Sequence, residues 1–212
     1  MDAEFWRQKW RDGQLGWHQS KPHPMLVRHL TALGVAPGAR VFVPLCGKSL
    51  DLGWLLGAGY RVAGVELVEG AVRQLFEGLG VKPEVAQAGR LKRYSADGID
   101  VFVGDLFDLD AKALGPVDAV FDRAALVALP AETRRRYAAH LAEITSRAPQ
   151  LLITFDYDQS VMDGPPFSVS EEEVRALYGS AFSVEPLESA EVPGGLKGFC
   201  PAMEHGWRLA AR

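Results

Sequence analysis

The order of segments in this chain of 212 residues predicts an α/β layered fold with a mostly parallel sheet. Three observations carry that expectation. Short apolar runs bounded by turn residues alternate with helical patterns, the arrangement of parallel strands joined by crossover helices. Runs such as Arg40-Val-Phe-Val-Pro44 are apolar throughout, as strands covered on both faces must be. The last two strand-like segments have no helix between them, which places an antiparallel pair at one edge.

Taken in order, residues 4–11 put Phe5, Trp6 and Trp10 on one face of a short helix that Gly13 and Gly16 end. With Trp17, this is a dense aromatic start: a face packed on the core or a cover over a ligand. Pro22 and Pro24 lead into a second helix over residues 25–33, stopped by Gly34. The first strand, Arg40–Pro44, runs into Leu45-Cys-Gly-Lys-Ser49 and a helix that Gly57 and Gly59 terminate. Arg61–Glu66 is the second strand, followed by a helix over Glu69–Gly78. Residues 91–95 and 99–103 read as a hairpin turning at Asp97-Gly98. Residues 117–122 form the next strand, 132–146 a helix, Gln150–Asp156 a strand and 170–178 a helix. Residues 182–186 and 199–209 close the sheet.

Composition narrows the function. With 48% hydrophobic residues, a chain of this length builds a core without disulfides or a structural metal. Lys and Arg number 23 against 27 Asp and Glu, a net charge of −4, which disfavours nucleic-acid or anionic-membrane binding. Cys46 and Cys200 lie outside any CxxC or Cys/His ligand spacing and read as reduced thiols. His18 and His23 have no carboxylate or cysteine at ligand spacing, so no metal is expected. No apolar run is long enough to span a bilayer, and the acidic N-terminal segment lacks a signal-like core, so the expectation is a single cytoplasmic domain over residues 1–212.

Four strand ends carry candidate chemistry. In open α/β sheets, ligands bind beyond the carboxyl ends of the strands. Gly47, after the first strand, lets backbone approach a ligand, or simply makes a turn. The loop is not a P-loop, because Phe42 stands where the leading glycine is required. Glu66 ends the second strand, 21 residues beyond Leu45, where a carboxylate can accept both hydroxyls of an adenosine ribose. That spacing alone does not separate S-adenosylmethionine from NAD, although a GxGxxG loop is absent. Asp105 and Leu106 follow the third core strand, at the adenine edge of such a site, unless Asp105 is only a cap. Asp122-Arg123 ends the fourth, either as a structural ion pair or as a functional group facing the cleft. Arg134-Arg-Arg136 reads as a solvated helix face.

These segments together resemble a known family. Phe5-Trp-Arg-Gln-Lys-Trp10, Gly16-Trp-His18, Val43-Pro-Leu-Cys-Gly-Lys-Ser49, Gly64-Val-Glu66, Gly104-Asp-Leu-Phe-Asp108, Phe121-Asp-Arg-Ala-Ala-Leu126 and Gly164-Pro-Pro-Phe167 are similar, in order, to the thiopurine S-methyltransferases, in particular their bacterial branch. The resemblance implies a Rossmann-like class I methyltransferase: a seven-stranded, mostly parallel sheet with an antiparallel edge, helices on both faces, and residues 1–35 as a helical cover. It implies S-adenosylmethionine as cofactor, held by Trp10, Leu45, Gly47, Glu66, Asp105, Leu106 and Arg123. Trp17 and Pro166 would meet the acceptor; mammalian members carry Phe where Trp17 stands. The implied acceptor is a thiol, such as a thiopurine, or a selenium or tellurium compound, and the implied state is a monomer. Because the cofactor's sulfonium is already a good leaving group, the expected mechanism is alignment, with Arg123 favouring the thiolate and the proton lost to water. Competing expectations are a non-catalytic cofactor-binding protein and a nicotinamide-dependent oxidoreductase.

Overall fold

The computed structural model describes residues 3–212. The elements are α1 (Ala3–Arg11), α2 (Pro24–His29) continued by a 3-10 turn, β1 (Arg40–Pro44), α3 (Leu50–Gly57), β2 (Arg61–Glu66), α4 (Glu69–Gly78), β3 (Glu84–Ala88), β4 (Leu91–Ala96), β5 (Ile99–Val103), α5 (Ala111–Leu114), β6 (Ala119–Asp122), α6 (Ala131–Ile144), β7 (Gln150–Asp156), α7 (Glu171–Tyr178), β8 (Phe182–Glu191) and β9 (Met203–Ala211).

All nine strands join one sheet in the order β3-β4-β5-β2-β1-β6-β7-β9-β8. The five central strands, β5 to β7, are parallel. The resemblance implies seven strands and the sheet has nine: the run from β5 to β8 in that order supplies seven, with β9 and β8 as the antiparallel edge, and β4 is the first arm of the hairpin read at residues 91–95. Two further strands, β3 and β4, extend the opposite edge by antiparallel pairing. The extra strand β3, Glu-Val-Ala-Gln-Ala, has almost no buried face and so left no apolar alternation to read. Its order comes from pairing with β4 rather than from burial.

The central strands bury both faces, and their side-chain alternation sorts the core into two layers. Phe42 of β1 and Val65 of β2 point to the side covered by α6 and α7, where Tyr137, Leu141, Val174 and Tyr178 pack. Val41, Val43 and Val62 point to the side covered by α2, α3 and α4, where Leu26, Leu52, Leu55, Val72 and Phe76 pack. Truncating a fully buried side chain such as Phe42 costs about 3–5 kcal/mol. Local chemistry sets the helix starts. Ser49 caps α3 by accepting from the Asp51 N–H, and Ser170 caps α7 by accepting from the Glu173 N–H. Among the described residues, no helix is long and apolar enough to cross a membrane.

This order has one functional consequence. The chain moves outward from β1 in one direction through β2 and β5, then restarts on the other side with β6 and β7. The reversal between β1 and β6 leaves a crevice at their carboxyl ends, where the connecting loops diverge.

Candidate active site

The loop after β1 is held by β2. Leu45 and Gly47 both adopt positive φ, 46° and 55°, and curl the chain so that its N–H groups turn back toward the sheet. Cys46 N donates to Val65 O at 3.0 Å. Gly47 N donates to Glu66 Oε2 at 2.9 Å, and Val68 N donates to Glu66 Oε1 at 2.8 Å. Positive φ is uncommon for leucine and costs about 1–2 kcal/mol, so these flanking bonds maintain the turn. Glu66 is thus more than a strand-end acid: it fixes the loop and keeps a free lone pair on each oxygen. Burial pushes its carboxyl above the ordinary range, while N–H groups of Val68, Gly47 and Leu67 pull it back. A Cβ on Gly47 would stand 3.3 Å from Trp10 Cζ2, so the indole lies directly over the loop. Gly64 is equally constrained, because its Cβ would meet Cys46 Sγ at 2.9 Å. The Cys46 thiol, buried and beside the Glu66 charge, is pushed well up and stays protonated.

Beyond β5, Asp105 caps a 3-10 turn by accepting from Phe107 N at 2.9 Å, while Leu106 is buried. His140 of α6 meets Leu106 O at 3.0 Å, and the Arg136 guanidinium lies 3.7 Å from the Phe107 ring centre. The arginine run is therefore not one solvated face. Arg134 is buried and pairs with Glu173 of α7 at 2.7 Å, because α7 packs along this side of α6.

The end of β6 separates two neighbours that the sequence could have paired. Asp122 turns into the core, accepting from Tyr137 Oη at 2.7 Å and Leu126 N at 3.1 Å. Burial pushes its carboxyl up to about 6 against those hydrogen bonds. Arg123 turns the other way. Its Nη1 donates to Trp17 O at 2.9 Å, and it forms no ion pair among the described residues. Burial lowers its pKa, partly offset by the charges of Asp51 and Glu204.

The aromatic N-terminal segment closes the crevice. No α1 residue is buried, so this helix is not a core element. Trp17 meets Trp6 and Trp10 edge-on, with ring centres 5.4 and 6.2 Å apart. On the far side, Tyr157 Oη donates to Pro166 O at 2.6 Å and fixes the Gly164-Pro-Pro-Phe167 segment. The result is one cavity of about 980 Å³, to which Trp10, Trp17, Leu45, Gly47, Glu66, Asp105, Leu106, Arg123 and Pro166 all contribute. That volume is at the upper end for small-molecule sites and leaves room for two ligands.

Three contributions escaped the sequence reading. The β8–β9 connection brings Val192, Leu196 and Lys197 to the cavity wall. Buried His23 accepts from Met25 N through Nδ1, meets Glu204 through Nε2 at 3.0 Å, and donates its backbone N–H to Asp51, tying the N-terminal segment to α3 and β9. His18 stands in the cavity wall itself. Long-range side-chain pairing leaves no periodic signal, so only a neighbouring motif could have hinted at these groups. Among the described residues, no cluster of His, Cys, Asp or Glu could hold a metal ion.

An adenosine-bearing cofactor fits these residues. The spare Glu66 lone pairs can take ribose hydroxyls, Gly47 supplies backbone with no side chain in the way, and Trp10 lies over that loop. The chain has the class I S-adenosylmethionine-dependent methyltransferase fold. It superposes on the 1,6-didemethyltoxoflavin-N1-methyltransferase of Burkholderia thailandensis, solved with S-adenosylhomocysteine, at a TM-score of 0.67 and 19% identity, covering 98% of this chain and 87% of that one. It also superposes on the magnesium protoporphyrin IX methyltransferase of Synechocystis PCC 6803, solved with the same product, at a TM-score of 0.62 and 17% identity, covering 99% and 96%.

Sequence narrows the class. The chain belongs to the thiopurine S-methyltransferase (TPMT) family, whose profile matches residues 1–198, and through that family it is an S-adenosylmethionine-dependent enzyme. Thiopurine S-methyltransferases from Xanthobacter autotrophicus and Gluconobacter oxydans are 56% and 49% identical to it, each over 99% of this chain and over 99% and 95% of theirs.

Proposed function

We propose that this enzyme methylates the sulfur of aromatic and heterocyclic thiols such as thiopurines, and that selenium- or tellurium-centred nucleophiles are further acceptors. The observation that carries the reading is Arg123: a half-buried, permanently cationic side chain in the cavity wall with no carboxylate partner among the described residues. A soft anion is the ligand such a group favours. The names of the bacterial relatives support the same acceptor.

The bound cofactor supplies an activated methyl group on a sulfonium leaving group. The chain's part is placement. Glu66 and the Gly47 loop hold the ribose end, Leu45 gives main-chain contact, and Asp105 and Leu106 flank the adenine. Trp10 covers the methionine side, while Arg123 sits between cofactor and acceptor and stabilises the thiolate. Trp17 and Pro166 shape the acceptor end. Alignment and water exclusion of this kind contribute about 7–11 kcal/mol in favourable cases.

The same proposal takes residues 1–212 as one domain with residues 1–35 as its cover. It describes a cytoplasmic monomer acting on small molecules rather than nucleic acid, in keeping with two free, buried cysteines and a net charge of −4. Incubation with S-adenosylmethionine and a panel of thiopurines, thiophenols, selenite and matched phenols, read by mass spectrometry, tests it. S-methyl products with no O-methyl products are expected. Transfer to oxygen in preference to sulfur would overturn the acceptor assignment.

A further inference from the structure

The mechanism above leaves the imidazole of His18, in the cavity wall, without a task. Four of the five histidines have ring partners: His23 meets Glu204, His29 meets Glu188, His140 meets Leu106 O and His205 meets Ser189. The His18 ring has no hydrogen bond or ion pair among the described residues, and His18 lines the cavity. Its backbone is fixed on both sides. His18 N donates to Leu15 O at 2.8 Å, and the carbonyl just before it, Trp17 O, accepts from Arg123 Nη1 at 2.9 Å. The residue that meets the acceptor aromatically, the free imidazole and the unpaired cation therefore form one contiguous patch.

We propose that His18 accepts the acceptor's proton, making it a catalytic base for thiols that arrive un-ionised. The inference rests on the proposed thiol acceptor. In the step, the S–H bond breaks and its proton passes to an imidazole nitrogen. The sulfur lone pair so released forms the bond to the methyl carbon as the sulfonium–methyl bond breaks, its electron pair remaining on the cofactor's sulfur. The imidazolium then returns the proton to solvent.

The electrostatic surroundings suit this role. The charged groups acting on the ring are Lys48 from the loop after β1, Arg123 from the end of β6 and Asp51 from α3. Burial, then Lys48 and Arg123, lower its pKa against a smaller opposing effect of Asp51, so the ring is neutral and able to take a proton at pH 7. Thiols already ionised need no such help, which is why the base and the simple thiolate route coexist in one site.

That difference provides the test. His18→Gln and the unaltered enzyme are assayed with ring-substituted thiophenols at about pH 6, from a nitro compound already ionised to a methoxy compound mostly protonated. The variant should lose about 100-fold in kcat/KM on the protonated thiol and less than about threefold on the ionised one. In parallel, the His18 ring is followed by NMR in the complex with S-adenosylhomocysteine: adding the methoxy thiol should produce an imidazolium signal at a pH where the ring alone is neutral. An equal loss across the series, no loss at all, or an unchanged ring signal would overturn the assignment. If the unaltered enzyme methylates none of the thiols, the acceptor reading itself fails, an outcome distinct from these.

Discussion

The two ends of the cavity are built on different principles. The end formed by β1, β2 and β5 is made of backbone: a positive-φ turn through Leu45 and Gly47, N–H groups held by Glu66, and a capped turn at Asp105. Its polar atoms are partnered and its shape follows from the sheet. The other end is made of side chains brought from distant segments: Trp17 and His18 from the N-terminal region, Arg123 from β6, Pro166 after β7, and Lys197 from the β8–β9 connection. Here the Arg123 cation and the His18 imidazole stand without ionic partners among the described residues. A site that is rigid at the proposed cofactor end and polar but uncommitted at the proposed acceptor end can keep one donor while changing its acceptor.

Changes at the boundary should have the largest effect. Arg123→Met removes the arginine cation of the cavity wall. It should lower kcat/KM for thiolate acceptors about 100- to 1,000-fold, with a much smaller change in S-adenosylhomocysteine affinity by titration calorimetry. Equal losses in both would erase the distinction between the ends.

Asp122, next in the chain, serves the frame. Its carboxyl titrates near 6 in the folded protein against a reference of 3.8, so between those values the folded state holds a proton that the unfolded chain has lost. Its contribution to stability therefore falls as pH rises through that window, by about 3 kcal/mol in all, and is level above it. Denaturant unfolding across the window should show this slope in the natural chain, and Asp122→Asn should remove it.

A smaller effect is expected at Gly47. Alanine there must hold a φ of +55° and push against Trp10, so the loop relaxes and cofactor affinity falls about tenfold in the same titration. Smallest of all is Trp17→Phe, which trims the acceptor wall and the edge contacts with Trp6 and Trp10. It should reorder preference among thiophenols of different bulk by about 10-fold or less, while cofactor affinity holds.

The same contrast explains what was legible in the sequence. A strand end followed by glycine, and an acid at the end of the next strand, are local patterns forced by the geometry of a parallel sheet, so Gly47, Glu66 and Asp105 could be found without coordinates. Both faces of β1 and β2 are buried, and their unbroken apolar runs announced them. Strand β3 did not announce itself, because an exposed edge strand is specified by its neighbour's hydrogen bonds. His18 could be seen only as a histidine without ligand spacing, since its importance lies in what surrounds it in space. Arg134 read as solvent-facing until α7 packed against it and supplied Glu173. Asp122 and Arg123, adjacent in sequence, allowed an ion pair that the opposite directions of their side chains rule out.

The most direct test of the cofactor end is calorimetric titration of the purified protein with S-adenosylhomocysteine and, separately, with NAD, for the natural chain and for Glu66→Ala. Removing this carboxylate takes away the proposed ribose acceptors and leaves the Gly47 and Val68 N–H groups without their Glu66 partner, so affinity should fall by about 100-fold or more. The account predicts binding of S-adenosylhomocysteine alone, with that loss in the variant. Failure of the folded natural chain to bind it, or equal binding by Glu66→Ala, would contradict the account.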